Sequence, residues 1–217
     1  MEGLVMGGDD MPTPSAASPR LRPNSHSRVL TAARRRFLAA GVRKTTMSDV
    51  AREGGVSRQF VYKAFLGRRE LVEAAVVERI GELADDLTPI DWSSGPQAEE
   101  FLSVSVAVIR GIRSDPELQV LLGDGSPVSL HEVLWTDAVR RRGVAFWLPW
   151  LQAARTAGLL RLDIADDDMA DWLQTVYASI ILRSSLDPES ERAMIERFVL
   201  TSLSMASSGE MGGVRNE

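Results

Sequence analysis

The 217-residue chain contains no cysteine. That excludes disulfides, thiolate zinc sites, iron–sulfur clusters and thiol nucleophiles, and it suits a reducing compartment. Histidine is nearly as scarce, at two residues. His26 falls near the N-terminus, and His131 stands beside Glu132 and Asp137 with no other histidine near it in sequence. Ser129 and His131, two apart on a helix, point away from each other and make no catalytic triad. The longest apolar run, residues 144–151, includes Pro149 and is far short of the roughly 20 residues a membrane helix needs. Glu2, Asp9 and Asp10 stand where a secretory signal would carry basic residues, so a cytoplasmic protein is expected. Period-two alternation is also lacking, which leaves an all-α chain. No loop has the length and lysine of a phosphate-binding loop, Gly123-Asp124-Gly125-Ser126 included. Asp166-Asp167-Asp168 reads as helix-start chemistry rather than a metal site. Neither an enzyme, a metal nor a cofactor is expected.

What is present is a globular composition, 44% hydrophobic and 25% charged, enough for one domain or two small ones. The net charge of -5 is unevenly spread. Residues 28–70 hold eleven Lys and Arg against three Asp and Glu. A compact basic segment in an acidic chain is what a protein with one phosphate-facing end requires, although a solvated basic helical face would look the same. Only Lys44 and Lys63 are lysines among the 25 basic residues, an arginine bias associated with GC-rich genomes.

Residues 1–27 carry four prolines and few large apolar residues, and are expected to be a disordered tail. The end of that tail is either a basic arm toward DNA or an inert leader. Helices are expected from an N-cap at Ser27 to residue 40, over 47–53, 58–65 and 68–87, and, after a linker at 89–96, over 97–112, 116–122, 130–157 with a bend at Pro149, 167–185 and 189–206. That is about nine helices in total. The expected organisation is a helix-turn-helix domain at 28–75, a larger helical domain at 76–206, and a frayed tail at 207–217.

Residues 47–65, MSDVAREGGVSRQFVYKAF, have the spacing of a helix-turn-helix: Ala51 small at the helix crossing, Gly55 at a turn needing positive φ, and Ser57 capping the second helix. At 100° per residue, Val61, Ala64 and Phe65 face inward, while Gln59 and Lys63 face out with Phe60 and Tyr62 beside them. Gln59 can pair with adenine, Phe60 can lie on a thymine methyl, and Lys63 can reach guanine or phosphate. Arg58 and Tyr62 sit toward the groove walls, where they would position rather than specify. The bland alternative is a surface helix whose aromatics are covered by a neighbouring domain.

From Arg28 to about Val77 the chain resembles the N-terminal domain of the tetracycline-repressor (TetR) family, in Ala32, Ala33, Phe37, Gly41, Thr46, Val50-Ala51, Gly55-Val56-Ser57, Tyr62, Phe65 and Glu70-Leu71. The resemblance implies a helical ligand-binding and dimerisation domain behind it. It also implies phosphate contacts from Thr46 and Arg68, to which Arg28 is added as a basic neighbour. Gln59 and Phe60 stand where the family commonly has small residues, Ala64 where histidine is frequent, and Arg68 where lysine is usual.

The last two expected helices are apolar on more than one face, a surplus that suits a subunit interface through Val176, Ile180, Ile181, Ile195 and Phe198, or else a larger monomer core. By resemblance an effector pocket lies among the aromatic-rich helices, with Trp135, Trp147, Trp150 and Ala138 as its expected lining and a largely apolar ligand. The expected function is a ligand-responsive repressor, a homodimer on a palindromic double-stranded operator. The alternatives are a DNA-binding regulator whose second half binds protein, and a helical enzyme with an accidental helix-turn-helix pattern.

Overall fold

Local capping chemistry sets most of the helix ends. A computed structural model describes residues 25–87, 98–183 and 187–204. Its elements are α1 (Ser25–Ala40), α2 (Met47–Gly54), α3 (Arg58–Ala64), α4 (Arg68–Leu87), α5 (Ala98–Ser114), α6 (Pro116–Leu121), α7 (Leu130–Leu134), α8 (Asp137–Thr156), α9 (Asp166–Leu182), α10 (Pro188–Met194) and α11 (Thr201–Leu203), with a π-helical turn at Ile195–Leu200. The chain is all-α, and the one strand-type pairing among the described residues is an isolated antiparallel bridge between Leu160 and Ser204. No described helix is long and apolar enough to cross a membrane.

Thr46 opens α2 with a reciprocal box: its hydroxyl accepts from the Asp49 amide, and the Asp49 side chain accepts from the Thr46 amide. The Thr46 hydroxyl, which donates to the Asp49 carboxylate at 2.7 Å, then the Thr46 amide and nearby Arg52 hold the Asp49 carboxyl below its usual range. Gly55 closes α2 at φ 60°, a conformation costly for any residue with a Cβ. Ser57, Asp115, Ser129, Thr136 and Asp187 then cap α3, α6, α7, α8 and α10 through side-chain oxygens.

Several expected boundaries move. Ser27 is inside α1 rather than its cap, because the helix already includes Ser25 and His26. His26 therefore belongs to the folded domain, its ring 4.5 Å from that of Phe65. The expected helix over 130–157 is two helices: Thr136 accepts from the Val139 amide and donates to the Val133 carbonyl, which ends α7 and starts α8 within two residues. Helix α8 runs through Pro149. The expected last helix becomes α10, the π-turn and α11, an irregularity that apolar periodicity does not signal. Of the expected tail over 1–27, residues 25–27 are helical, because α1 begins at Ser25, and 1–24 lie outside the described residues, as do the linker over 89–96 and the tail from Ser207.

One apolar core runs through both halves of the chain. It extends from Phe37, Val50, Val61 and Phe65 under α1–α3, through Leu71, Val72 and Val76 of α4, to Phe101, Ile109, Leu151, Leu173 and Tyr177. Helix α4 thus packs on α1 at one end and on α5, α6 and α8 along its length.

Candidate nucleic-acid interface and interior cavity

The cap on Ser57 orients α3. Its Oγ accepts from the Phe60 amide, fixing the first turn, and the backbone of Phe65 closes the helix by donating to Val61. Val61 and Phe65 are buried; Arg58, Gln59, Tyr62 and Lys63 are exposed. Gln59, Tyr62 and Lys63 fall at i, i+3 and i+4, so one stripe presents an amide, a phenol and an ammonium. Just past the helix, Leu66 is 90% exposed, an apolar group that no motif signals. Arg58 stacks over the Tyr62 ring at 5.5 Å, so the two lean on one another at the helix edge.

Phe60 departs from expectation. It shares an i±4 row with Val56 and Ala64, and all three are half-buried against the core. Its ring packs partly on the core at the edge of α3 and is less exposed than Gln59, Tyr62 and Lys63.

The three residues expected on phosphate each have a structural partner. Arg28 donates to the Gly54 carbonyl at 3.0 Å, tying α1 to the turn between α2 and α3. Arg68 donates to the Arg43 carbonyl at 3.1 Å, tying the start of α4 to the loop before α2. Thr46 has its hydroxyl in the α2 box. All three remain exposed, so the same side chains that hold the loops line the basic surface.

A cavity of about 190 Å³ lies among α4, α5, α8 and α9. Trp147 forms part of its wall, stacked on Tyr177 with centroids 4.8 Å apart and met edge-on by Phe146 at 4.9 Å. Trp150 is buried beside it, 4.2 Å from Phe101, but does not border the space. Trp135 and Ala138 are exposed and lie outside it, because the break at Thr136 turns them to the surface. The Tyr177 hydroxyl is 2.6 Å from Ser105 Oγ, which donates to the Phe101 carbonyl, so Tyr177 supplies the proton between them. Burial pushes the Tyr177 phenol up, and it is neutral at physiological pH.

Polar wall residues that the aromatic pattern could not reveal are Arg142 and Gln174. A Cβ on Gly81 would collide with the Arg142 guanidinium, and one on Gly143 would overlap the Gln174 amide oxygen. A glycine inside a helix costs about 1 kcal/mol relative to alanine, so Gly81 in α4 and Gly143 in α8 were the available signal of close approach.

The expected interface residues divide. Ile180, Ile181 and Ile195 are buried within the chain, Val176 is half-buried, and Phe198 is 70% exposed. Ile180 and Ile181 face inward because Arg113 of α5 donates to both of their carbonyls and to that of Arg183, fastening the end of α9 to α5. The exposed large apolar residues of this half are instead Trp135, Leu159, Leu162, Trp172, Leu182 and Phe198 among the described residues.

Between the two regions lies an ionic cluster with no motif. Arg34 of α1 reaches Glu78 and Glu82 of α4 and Glu117 of α6. Arg79 bonds Glu82 at 2.9 Å and the buried Asp115 carboxylate at 2.6 Å. The Arg34 guanidinium, and then Arg79, hold Glu82 below its ordinary pKa. For Asp115 burial alone would raise the value, but Arg79 and the Leu118 amide together bring it below normal.

Residues 29–75 match the family model described as bacterial regulatory proteins, tetR family. The chain is similar to the HTH-type transcriptional regulator SrpR of Pseudomonas putida, 37% identical over 97 aligned positions in a match that covers 38% of this chain and 46% of SrpR, so it spans under half that relative's length. It is likewise 37% identical over 97 residues to the uncharacterized HTH-type transcriptional regulator TtgW of Pseudomonas putida, across 38% of this chain and 72% of TtgW. Among solved structures it is similar in fold to Thermus thermophilus FadR, described as a repressor in complex with lauroyl-CoA, with a TM-score of 0.62 at 18% identity over 87% of this chain and 100% of that one.

Proposed function

The chain belongs to the tetR family of bacterial regulatory proteins and is a DNA-binding transcriptional regulator, and from that premise we propose that it is a repressor released from its operator by a small, largely apolar effector. The observation that carries this reading is the cavity, bordered by α4, whose other end packs on the domain that presents α3. Ligand bound there has a direct mechanical route to the reading helix. Gln59 and Lys63 would read base edges, while Arg28, Thr46, Ser57, Arg58, Tyr62 and Arg68 would fix the domain on phosphates. Two copies would meet over the exposed apolar side of α9 and the π-turn. Trp172 and Val176 are one turn apart there, and Ser202, one turn from Phe198, shares a surface pocket with Trp172. Such a dimer would bind a palindrome with half-sites about one helical turn apart.

The test is to select duplexes from a random pool with the full chain and sequence them. An inverted repeat bound by two copies is the expected result, and small apolar compounds that quench tryptophan fluorescence should release it over the same concentration range. Recovery of unrelated sequences, or quenching without release, would defeat the reading.

A further inference from the structure

We propose that the cavity takes an apolar monocarboxylate, about the size of one ring or a short chain, whose carboxylate replaces Asp85 as the partner of Arg142. The inference rests on reading the cavity as an effector site and names the chemistry of what enters it. Size comes first. About 190 Å³ is little more than the roughly 150 Å³ that accommodates a benzene molecule in an apolar protein cavity. Leu83, Leu87, Val108, Phe146 and Trp147 supply an almost wholly apolar wall, so the body of the ligand is hydrocarbon.

The charge of the head follows from the polar atoms that remain. Tyr177 is already bonded to Ser105. Arg142 is the one cation among the lining residues, and its Nη2 pairs with Asp85 across the gap between α8 and α4. Its Nε and Nη1 lie over Gly81 with no acceptor among the described residues. The Gln174 amide, seated over Gly143, has no hydrogen-bond partner among them either. Asp86 also borders the cavity but is exposed, where solvent screens it.

The Asp85 side chain is 66% exposed and that of Arg142 43%. An exposed pair of this kind is weakly held, so Asp85 is a readily displaced occupant. A carboxylate tethered to a buried apolar body meets the same guanidinium with less solvent around it, and can take two of its donors. Exchange of Asp85 for the ligand removes an α4–α8 tie at the moment of binding. Occupancy is thereby linked to the helix that carries the contacts with the DNA-binding end.

The experiment uses the full chain with phenylacetate and octanoate as probes, and phenylacetamide and octanamide as their neutral counterparts. Tryptophan fluorescence and release of the selected duplex are followed together. At least one carboxylate should bind tenfold or more tightly than its amide. Arg142→Gln should abolish that preference by weakening carboxylate binding far more than amide binding, and Asp85→Asn should strengthen carboxylate binding several-fold. Both substitutions are at the surface, and circular dichroism checks that the helices persist. Amides that bind as well as carboxylates, an undiminished preference in Arg142→Gln, or no binding by either pair would overturn the proposal. Amides that bind equally and still release DNA would defeat the carboxylate while sparing the effector reading. Arg142-dependent carboxylate binding without release would do the reverse.

Discussion

Arg34 of α1 grips Glu117 of α6 with two parallel hydrogen bonds, Nε to Oε1 at 2.6 Å and Nη2 to Oε2 at 3.0 Å. This fork joins the DNA-binding end to the second half of the chain, and Glu78 and Glu82 share the same guanidinium. Replacing Arg34 leaves three carboxylates facing one another in a partly buried site. Arg34→Gln should destabilise the protein by about 2 kcal/mol, below the range for removing one partner of a fully buried pair because Glu78 and Glu82 remain wetted. Urea unfolding checks this, and an unchanged midpoint would show that the fork contributes nothing.

Acid should act on the same cluster. Glu82 and Asp115 have folded-state pKa values below their ordinary ones, so each contributes stability that is fully present above the unfolded-state pKa and lost as pH falls through the folded one. With unfolded values near 4, stability should hold from pH 7 to about 5 and drop below it. In Arg34→Gln the Glu82 share of that drop should shrink to what Arg79 alone sustains. Urea midpoints between pH 7 and 3 for the two proteins should therefore converge toward the acid end, and parallel curves would contradict the assignment.

On DNA, positioning and reading residues should behave differently. Arg68→Ala should weaken binding to all sequences alike, whereas Gln59→Ala should relax preference at one base position per half-site, by about 1–3 kcal/mol of discrimination. Affinity of the wild type should fall at least about a hundredfold between low and physiological salt, because several basic contacts per subunit release counterions. Fluorescence anisotropy on matched and mismatched duplexes separates these effects. Phe60→Ala, by contrast, should cost stability more than base preference, since the ring packs on the core.

For association, Phe198 and Ile195 make a matched pair. A charge at exposed Phe198 should yield a folded monomer with weak operator affinity. A charge at Ile195, fully buried in the chain, should unfold it by several kcal/mol. Sedimentation and circular dichroism together distinguish the outcomes. A Phe198→Asp dimer with normal operator binding would move the interface elsewhere.

The DNA-binding end was legible because its determinants are local. The Thr46–Asp49 box, the turn at Gly55 and the Ser57 cap each act within a few residues, and their spacing alone dictates α2, the turn and α3. The second half depends on partners distant in sequence. Ile180 and Ile181 turn inward because Arg113, almost 70 residues earlier, holds their carbonyls. Trp135 turns outward because of one threonine cap that is outweighed, in the pattern, by the apolar residues around it. Of the aromatics expected in the cavity, Trp147 alone lines it, while the Arg142 and Gln174 side chains in its wall are recognisable only once α4, α8 and α9 are side by side.

The continuous core and the Arg34 fork also bear on how this protein can be re-engineered. A chimaera that grafts residues 25–87 onto another helical receptor would bring Arg34, Glu78 and Glu82 with it but leave Glu117 behind, along with the faces of α5, α6 and α8 that α4 packs against. The recipient must provide a carboxylate at the α6 position and an apolar seat for α4. Without both, the transplanted reading head would be wired to nothing, binding DNA regardless of what its new receptor senses.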